Sequence, residues 1–434
     1  MKSKYHRVRG TYDILPGDLD LYRKVENTAR ELMTLRGFNE IRLPTFEEAG
    51  LFIHATGETT DIVEKEMYTF KDKKERILAL RPEGTPGIVR AFLENDLNAT
   101  FPVSKFYYTG PMFRYERPQG GRRREFFQFG CEYFGNAHPA SDAELILLAR
   151  DIYSSLGINN LIIEINSIGC EECRPKYRDM LIGFLNKNKE KLCTDCKIRM
   201  EKNPLRTLDC KIDKNIFVEG NIPTINEALC ADCASHFKLL QALLSDAGVN
   251  FSVNPYIVRG LDYYTRTVFE VKVEGTDAIC AGGRYDRLIK LIGGEETPAT
   301  GFAIGVDRTV DLLRAMNISV PKMKPVFLVT QQNESVIRNS FSLLQQLNNK
   351  KIPAVGPYPG KSFKAQMRLA DSSGASYVLI LGETETWSDS VTMKDMSAGA
   401  AGAQGSQELL KQKEAIEKLK ILCDKSHIDQ VKAI

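Results

Sequence analysis

Apolar side chains at Leu19, Tyr22, Val25, Ala29, Leu32 and Met33 recur at helical spacing through residues 18–36. That spacing predicts an amphipathic helix, ended at Gly37. Residues 38–43 then alternate apolar and polar up to Pro44, the pattern of a strand halted where proline has no N–H for a ladder. Short strand-like runs follow at 76–80, 105–108, 126–134, 161–165 and 268–273, with helical sequence around them. The mixture predicts an α+β domain over residues 1–322, built on a largely antiparallel sheet. Residues 170–248 change texture to helical, lysine-rich and cysteine-rich sequence, which predicts a helical insertion into that domain. Strand-like sequence resumes near residue 251 and passes into a helix from about residue 301.

Two prolines and two lysines in 321–325 predict an extended linker. Beyond it come a strand at 326–330, a helix around 336–347, a loop at 356–360, a helix at 362–370 and a strand at 377–381. This alternation favours a small α/β domain over residues 325–422. The Gly/Ala-rich stretch 397–406 reads as mobile, and 407–422 as a closing helix.

Composition narrows the function. With 43% hydrophobic and 26% charged residues in 434, the chain is neither disordered nor fibrous, and its length fits two or three domains. A net charge of +3 is too small for a nucleic-acid coat, so any polyanion site must be local. No apolar run approaches the roughly 18 residues of a membrane span, and the opening residues lack the apolar core of a secretory signal; a cytoplasmic protein is expected. Ten cysteines in that compartment should be thiols, metal ligands or catalytic groups rather than disulfides. Five histidines are few for a histidine-based site, and HExxH, GxSxG and a complete P-loop are all missing.

The most informative segment is 113–128. Between Arg114 and Arg124 it holds five arginines against one glutamate around Pro118, Gly120 and Gly121. A strand–loop–strand hairpin of this kind can aim forked guanidinium groups from both arms at one polyanion. A solvated charged loop is the plainer reading. Arg81-Pro-Glu-Gly-Thr85 supplies a carboxylate and a hydroxyl at a tight turn, suited to an ammonium group. Val258-Arg-Gly-Leu-Asp-Tyr-Tyr-Thr265 sets a cation ahead of two phenols, or forms an ordinary strand edge. Thr300-Gly-Phe-Ala-Ile-Gly-Val-Asp-Arg308 reads as a glycine-containing strand entering a helix that presents Arg308.

On these residues the chain resembles class II aminoacyl-tRNA synthetases, specifically the bacterial histidyl-tRNA synthetases, over nearly its whole length. The helix, strand and proline ending at Pro44 resemble class II motif 1, residues 113–132 motif 2 and residues 301–308 motif 3. Arg9-Gly-Thr-Tyr-Asp-Ile-Leu-Pro16, the 81–85 and 258–265 segments, and Ala281-Gly-Gly-Arg-Tyr-Asp286 resemble the histidine-specific signatures, in the expected order. The resemblance implies a homodimeric ligase that activates histidine with ATP to histidyl-adenylate and transfers it to the 3′ end of histidine tRNA. Such chemistry rests on positioning and charge stabilisation rather than on a protein nucleophile.

The resemblance also implies roles. Arg114 belongs at the α-phosphate and Arg259 beside it, partly replacing a metal ion as the principal catalytic side chain; both also reach the histidine. Glu116 accepts from the adenine amino group, between Phe126 and Arg308 on the two adenine faces. Arg122 and Arg124 are expected at the β/γ-phosphates and, with Arg123, at the tRNA acceptor end. Glu83 pairs with the substrate ammonium near Thr85. Gln128, Glu132, Tyr263 and Tyr264 line the imidazole pocket. Mg2+ bridges the distal phosphates.

Residues 325–422 resemble an anticodon-binding domain. Lys361, Lys364 and Arg368 share a helical face that suits RNA backbone contact or plain solvation. Gly356-Pro-Tyr-Pro-Gly-Lys-Ser362 has one residue too few and two prolines too many for a phosphate loop. In the insertion, Cys170-x-x-Cys173, Cys193-x-x-Cys196, Cys210 and Cys230-x-x-Cys233 give seven thiols, and any two pairs could make one structural Zn2+ site. Reduced, partly buried thiols are the alternative. For the whole chain the alternative is a catalytically silent histidyl-synthetase-like regulatory subunit of an ATP phosphoribosyltransferase, although such paralogues lack the C-terminal domain.

Overall fold

The computed structural model describes residues 4–57, 60–97, 103–118, 121–210, 212–257, 261–320, 324–396 and 406–432. Its first long helix runs Pro16–Leu35, with Tyr22, Val25, Ala29 and Met33 as the buried stripe. Proline stands at the first turn, where no N–H is needed. Gly37, at φ +77°, takes the chain out of the helix.

The chain divides into two compact units, Met1–Ser319 and Val320–Ile434. In chain order the first holds β1 (Asn39–Glu40), β2 (Phe46–Glu48), β3 (Thr69–Lys71), β4 (Ile77–Leu80), β5 (Ser104–Phe113) and β6 (Glu125–Phe134). After these come β7 (Leu161–Ser167), β8 (Phe251–Val253), β9 (Thr265–Val273), β10 (Cys280–Arg284) and β11 (Ala299–Gly305). Eight form one sheet in the order β1-β5-β6-β11-β10-β9-β7-β8, and β2-β4-β3 form a small separate one. The large sheet is antiparallel except at its edges, where β1 runs parallel to β5 and β8 parallel to β7. Residues 38–43 yield only the two-residue β1. The helix expected from about residue 301 starts instead at Val306, because 299–305 pairs as β11 between β6 and β10.

Side chains alternate across this sheet. Tyr107 joins Val25, Ile146, Val310 and Phe269 in the main core, whereas Tyr108 joins Met112, Tyr263, Tyr264 and Tyr285 in another. Parallel β7 and β8 need a crossover. Its last helix, Ala231–Asp246, packs Phe237, Leu240 and Leu244 into the main core, while Tyr177, Leu181, Phe217 and Ala228 form a small core of their own. The insertion with an independent core is therefore narrower than 170–248.

The second unit holds β12 (Val326–Thr330), β13 (Ala354–Val355), β14 (Tyr377–Leu381), β15 (Ser390–Asp395) and β16 (Gln407–Lys411), ordered β13-β12-β14-β15-β16. The segment expected as a helix from 407 thus begins as a strand paired antiparallel with β15, and the helix is Gln412–Lys432. Most of the stretch foreseen as mobile, 397–405, and 321–323 of the foreseen linker lie outside the described residues.

Arg284, at the end of β10, is fully buried. Its guanidinium donates to Asp142 Oδ1 at 2.8 Å, Asp286 Oδ1 at 3.0 Å, Ser141 Oγ at 2.8 Å and the Asn136 carbonyl at 3.0 Å. Thr267 Oγ1 donates to Asp142 at 2.7 Å, and His236 Nε2 lies 2.8 Å from the same carboxylate. Burial works against the charge on Asp142, yet Arg284 and His236 hold its carboxyl below the usual range. Removing one half of such a pair strands the other in the interior. Asp142→Asn is expected to lower the unfolding free energy by about 3–5 kcal/mol, read from urea denaturation of the full chain.

Candidate active site

A cavity of about 300 Å3 opens over the neighbouring strands β5, β6, β11, β10 and β9. At one set of its walls, Thr85 Oγ1 donates to Glu132 Oε1 at 2.7 Å and the Tyr285 hydroxyl donates to Oε2. Tyr263 OH donates to Glu83 Oε2 at 2.8 Å, and Thr56 Oγ1 to Glu83 Oε1 at 3.2 Å. Burial pushes the Glu132 carboxyl up to about 8; the bonds from Tyr285 and Thr85 pull it down, and the charge of Glu83 pushes it further up. Glu132 faces Gly301 across the β6–β11 pair. A Cβ at position 301 would stand 1.8 Å from its Oε2, so glycine there is what makes room for the carboxylate. Gly84 does the same for the ring of Tyr108, which a Cβ would meet at 2.3 Å.

Tyr264 and Gln128 complete this end of the lining. Gln128 Oε1 is buried with no hydrogen-bond partner among the described residues. An acceptor left that way costs about 1–3 kcal/mol, which a donor on a bound molecule would recover.

Arginines line the rest. Arg114 Nε donates to the Pro82 carbonyl at 2.9 Å, and its guanidinium lies 5.4 Å from the centre of the Phe126 ring. Arg122 reaches Glu116 Oε2 at 3.3 Å. Arg308 donates to the carbonyls of Gly121 at 3.1 Å and Ala278 at 2.7 Å. Asp307, which sequence reasoning passed over, accepts from Tyr22 OH at 2.7 Å, from the Phe127 N–H at 2.6 Å and from Arg123. It thereby ties the helix Val306–Ala315 to β6. Arg123, expected at the tRNA, is committed to that carboxylate.

The cavity so brings together Glu83, Thr85, Arg114, Glu116, Arg122, Arg123, Phe126, Gln128, Glu132, Tyr263, Tyr264 and Arg308. Arg124 is not in its lining, because the guanidinium stacks on the Tyr115 ring at 3.9 Å. Arg259 lies outside the described residues, as do Gln119 and Gly120 of the 113–128 loop. Tyr108 and Tyr285 line the cavity without having been singled out as site residues. Tyr285 stands in the 281–286 signature, but only the sheet shows which neighbour faces inward: Arg284 turns to Asp142 and Tyr285 to Glu132. In chemical terms, an organic cation fits between the carboxylates and a polyanion fits among the guanidinium groups.

In the second unit, Lys361, Lys364 and Arg368 are exposed along the start and outer face of the helix Phe363–Ser372. Gln366, on its buried side, exchanges hydrogen bonds with Thr330 of β12 at 3.0 and 2.9 Å. Trp387 is 81% exposed.

A family model described as histidyl-tRNA synthetase matches residues 10–172 and 213–309, and one described as an anticodon binding domain matches 326–422. The histidine–tRNA ligase of Thermodesulfovibrio yellowstonii is 47% identical over 410 residues, covering 94% of this chain and 97% of its own. That of Desulforamulus reducens is 44% identical over 408 residues, covering 93% and 97%. Apo S. aureus histidyl-tRNA synthetase superposes with a TM-score of 0.79 at 33% identity, covering 96% of this chain and 100% of that one. A Bacillus halodurans chain described as an ATP phosphoribosyltransferase regulatory subunit/histidyl-tRNA synthetase, at 20% identity and TM-score 0.62, shares the fold. Matched over both units and at its cavity-lining segments, the chain belongs to the histidyl-tRNA synthetase family.

Proposed function

We infer that the chain activates histidine with ATP and charges histidine tRNA. The observation that supports this best is a single cavity in which the carboxylates Glu83 and Glu132 meet the guanidinium groups of Arg114, Arg122 and Arg308. The histidine carboxylate attacks the α-phosphorus of ATP, the bond to the β-phosphate oxygen breaks and diphosphate leaves. A hydroxyl of the terminal tRNA ribose then attacks the acyl carbon, gives up its proton and releases AMP. Both steps bring anions together, so charge stabilisation is the main demand on the protein.

Arg114 neutralises the α-phosphate from its anchor on Pro82, and Arg259 assists at the same centre. Adenine lies between Phe126 and Arg308 with its amino group toward Glu116. Arg122 takes the distal phosphates; Arg124 can join it only by leaving Tyr115. The substrate ammonium pairs with Glu83, and the imidazole meets Glu132, Gln128, Tyr263 and Tyr264. When bound, Mg2+ would offset charge on the distal phosphates, and Glu270, which also lines the cavity, is an oxygen donor suited to share it. Exposed Lys361, Lys364 and Arg368 contact tRNA phosphates in the anticodon arm, with Trp387 available for base stacking. Self-association as a homodimer is supported by the exposed Phe46, Phe70 and Ile77 of the small sheet that follows Pro44.

Histidine-dependent exchange of diphosphate into ATP is the direct assay, and its absence would favour the regulatory-subunit alternative. In it, Arg259→Ala is expected to slow exchange by about 10²–10³-fold with the fold intact, and wild-type rates in that variant would remove Arg259 from the reaction centre. Removal of residues 325–434 should leave exchange in place and weaken tRNA charging; undiminished charging would contradict an anticodon role for that unit.

The Glu132 carboxyl gives a pH prediction. Its proton is held up to about pH 8 in the folded protein, whereas an unfolded chain releases it near the ordinary value. Raising pH between those values therefore removes stability from the folded chain. A ligand ammonium paired with Glu83 offsets the charge that pushes the Glu132 carboxyl up, so histidine binding should expel a proton and tighten as pH rises from about 7 toward 8. Calorimetry in buffers of different ionisation enthalpy reads the release, and Glu132→Gln should abolish it.

A further inference from the structure

The seven cysteines of the insertion do not form one site. They gather as Cys170, Cys173, Cys230 and Cys233 in one group and as Cys193, Cys196 and Cys210 with the carboxylate of Asp213 in another, the ligand atoms of each group lying within 4.8 Å of one another. Within them Cys170 Sγ lies 3.6 Å from Cys173 Sγ and 3.8 Å from Cys230 Sγ, and Cys193 Sγ lies 3.7 Å from Cys210 Sγ. These separations are far beyond a disulfide bond of about 2.05 Å. They match the edge of a sulfur tetrahedron around zinc, roughly 3.8 Å for a Zn–S length of about 2.3 Å.

We propose that the chain holds two structural zinc ions, one on Cys170, Cys173, Cys230 and Cys233 and one on Cys193, Cys196, Cys210 and Asp213. Two further observations carry this beyond thiol spacing. Each Cys-x-x-Cys pair straddles a helix start: Cys173 opens Cys173–Lys187, Cys193 caps Thr194–Lys202 and Cys230 caps Ala231–Asp246. Helix N-termini favour thiolate charge. Backbone N–H groups also point at the sulfurs: Cys230 N donates to Cys173 Sγ at 3.1 Å and Asp213 N to Cys210 Sγ at 3.4 Å. Such donors orient and stabilise ligating thiolates.

The placement says what the ions do. The first ties the strand-to-insertion exit, residues 170–173, to the start of the helix that returns to the sheet, closing the neck of the insertion. The second sits inside the small core that Cys196 and Cys210 share with Leu192 and Phe217. That core is too small to be well specified by apolar burial alone, so a metal is the added staple.

Elemental analysis of the untagged full chain, purified without added metal, is expected to find about two zinc ions per chain. A thiol-specific mercurial should release both as the cysteines react. Replacement by Co2+ should give thiolate charge-transfer bands and the intense visible bands of tetrahedral cobalt. Cys230→Ser with Cys233→Ser should leave one zinc, and so should Cys193→Ser with Cys210→Ser. If those variants fail to fold, the mercurial release from the wild-type chain still decides. Less than about a tenth of an equivalent of zinc, or seven thiols reacting at one rate with Ellman's reagent in the native protein, would overturn both sites. A single equivalent would overturn the two-site assignment, and iron in place of zinc would overturn the choice of ion.

Discussion

Two carboxylates buried beside each other repel, and the architecture around Glu83 and Glu132 follows from containing that repulsion. Each oxygen of both groups receives a hydroxyl, from Thr56, Tyr263, Thr85 and Tyr285. Those hydroxyls come from four separate stretches of chain. Hydroxyls can donate to either protonation state without adding charge, so the pair keeps its appetite for a cation. Arg114, directly after β5, stays out of those bonds because Pro82 and Phe126 hold it.

The arginine end solves the opposite problem. Guanidinium groups pointed at one empty space repel as well, and here each is anchored on protein oxygen: Arg308 on two carbonyls, Arg123 on Asp307, Arg122 on Glu116. Anchoring fixes their direction before a polyanion arrives, so less ordering entropy is lost on binding. Asp307 matters most in this respect, since it holds Tyr22, β6 and Arg123 together in one buried contact set. The three class II segments meet at that carboxylate.

Much of this was legible in the amino-acid order. The spacing of Tyr22, Val25, Ala29 and Met33 reports the first helix directly, since a helix turns at a fixed angle per residue. The local arginine excess in 113–128 and the signature at 81–85 led to the cavity wall. What escaped depended on pairing between distant residues. Gln407–Lys411 carries no strand periodicity strong enough to compete with the helix after it, and becomes a strand only because β15 offers a free edge. Tyr108 and Asp307 look like ordinary strand and helix residues until the sheet sets their facing. Asp213 escaped because a single acid among thiols has no spacing rule, while Arg284 turned from the cavity because side chains alternate along β10.

The cysteine-rich neck and the cavity are joined by short steps. Gly169, just before Cys170, accepts from the backbone N–H of Arg266 at 2.8 Å, and Ile168 donates to the Arg266 carbonyl at 2.7 Å. Arg174, one residue after Cys173, donates to the carbonyl of Tyr264 on the cavity wall. One turn beyond Cys233, His236 meets Asp142, and Asp142 holds Arg284, whose neighbour Tyr285 holds Glu132. Arg266 itself sits at φ +50°, within the stretch where the register between β9 and β10 shifts. A residue in that backbone region persists only where its surroundings hold it, and it lies three residues from Tyr263, whose hydroxyl reaches Glu83. Fixing the neck therefore fixes one edge of the amino-acid end of the cavity. A loosened neck would act first on the two tyrosines, through the bond from Arg174 to the Tyr264 carbonyl.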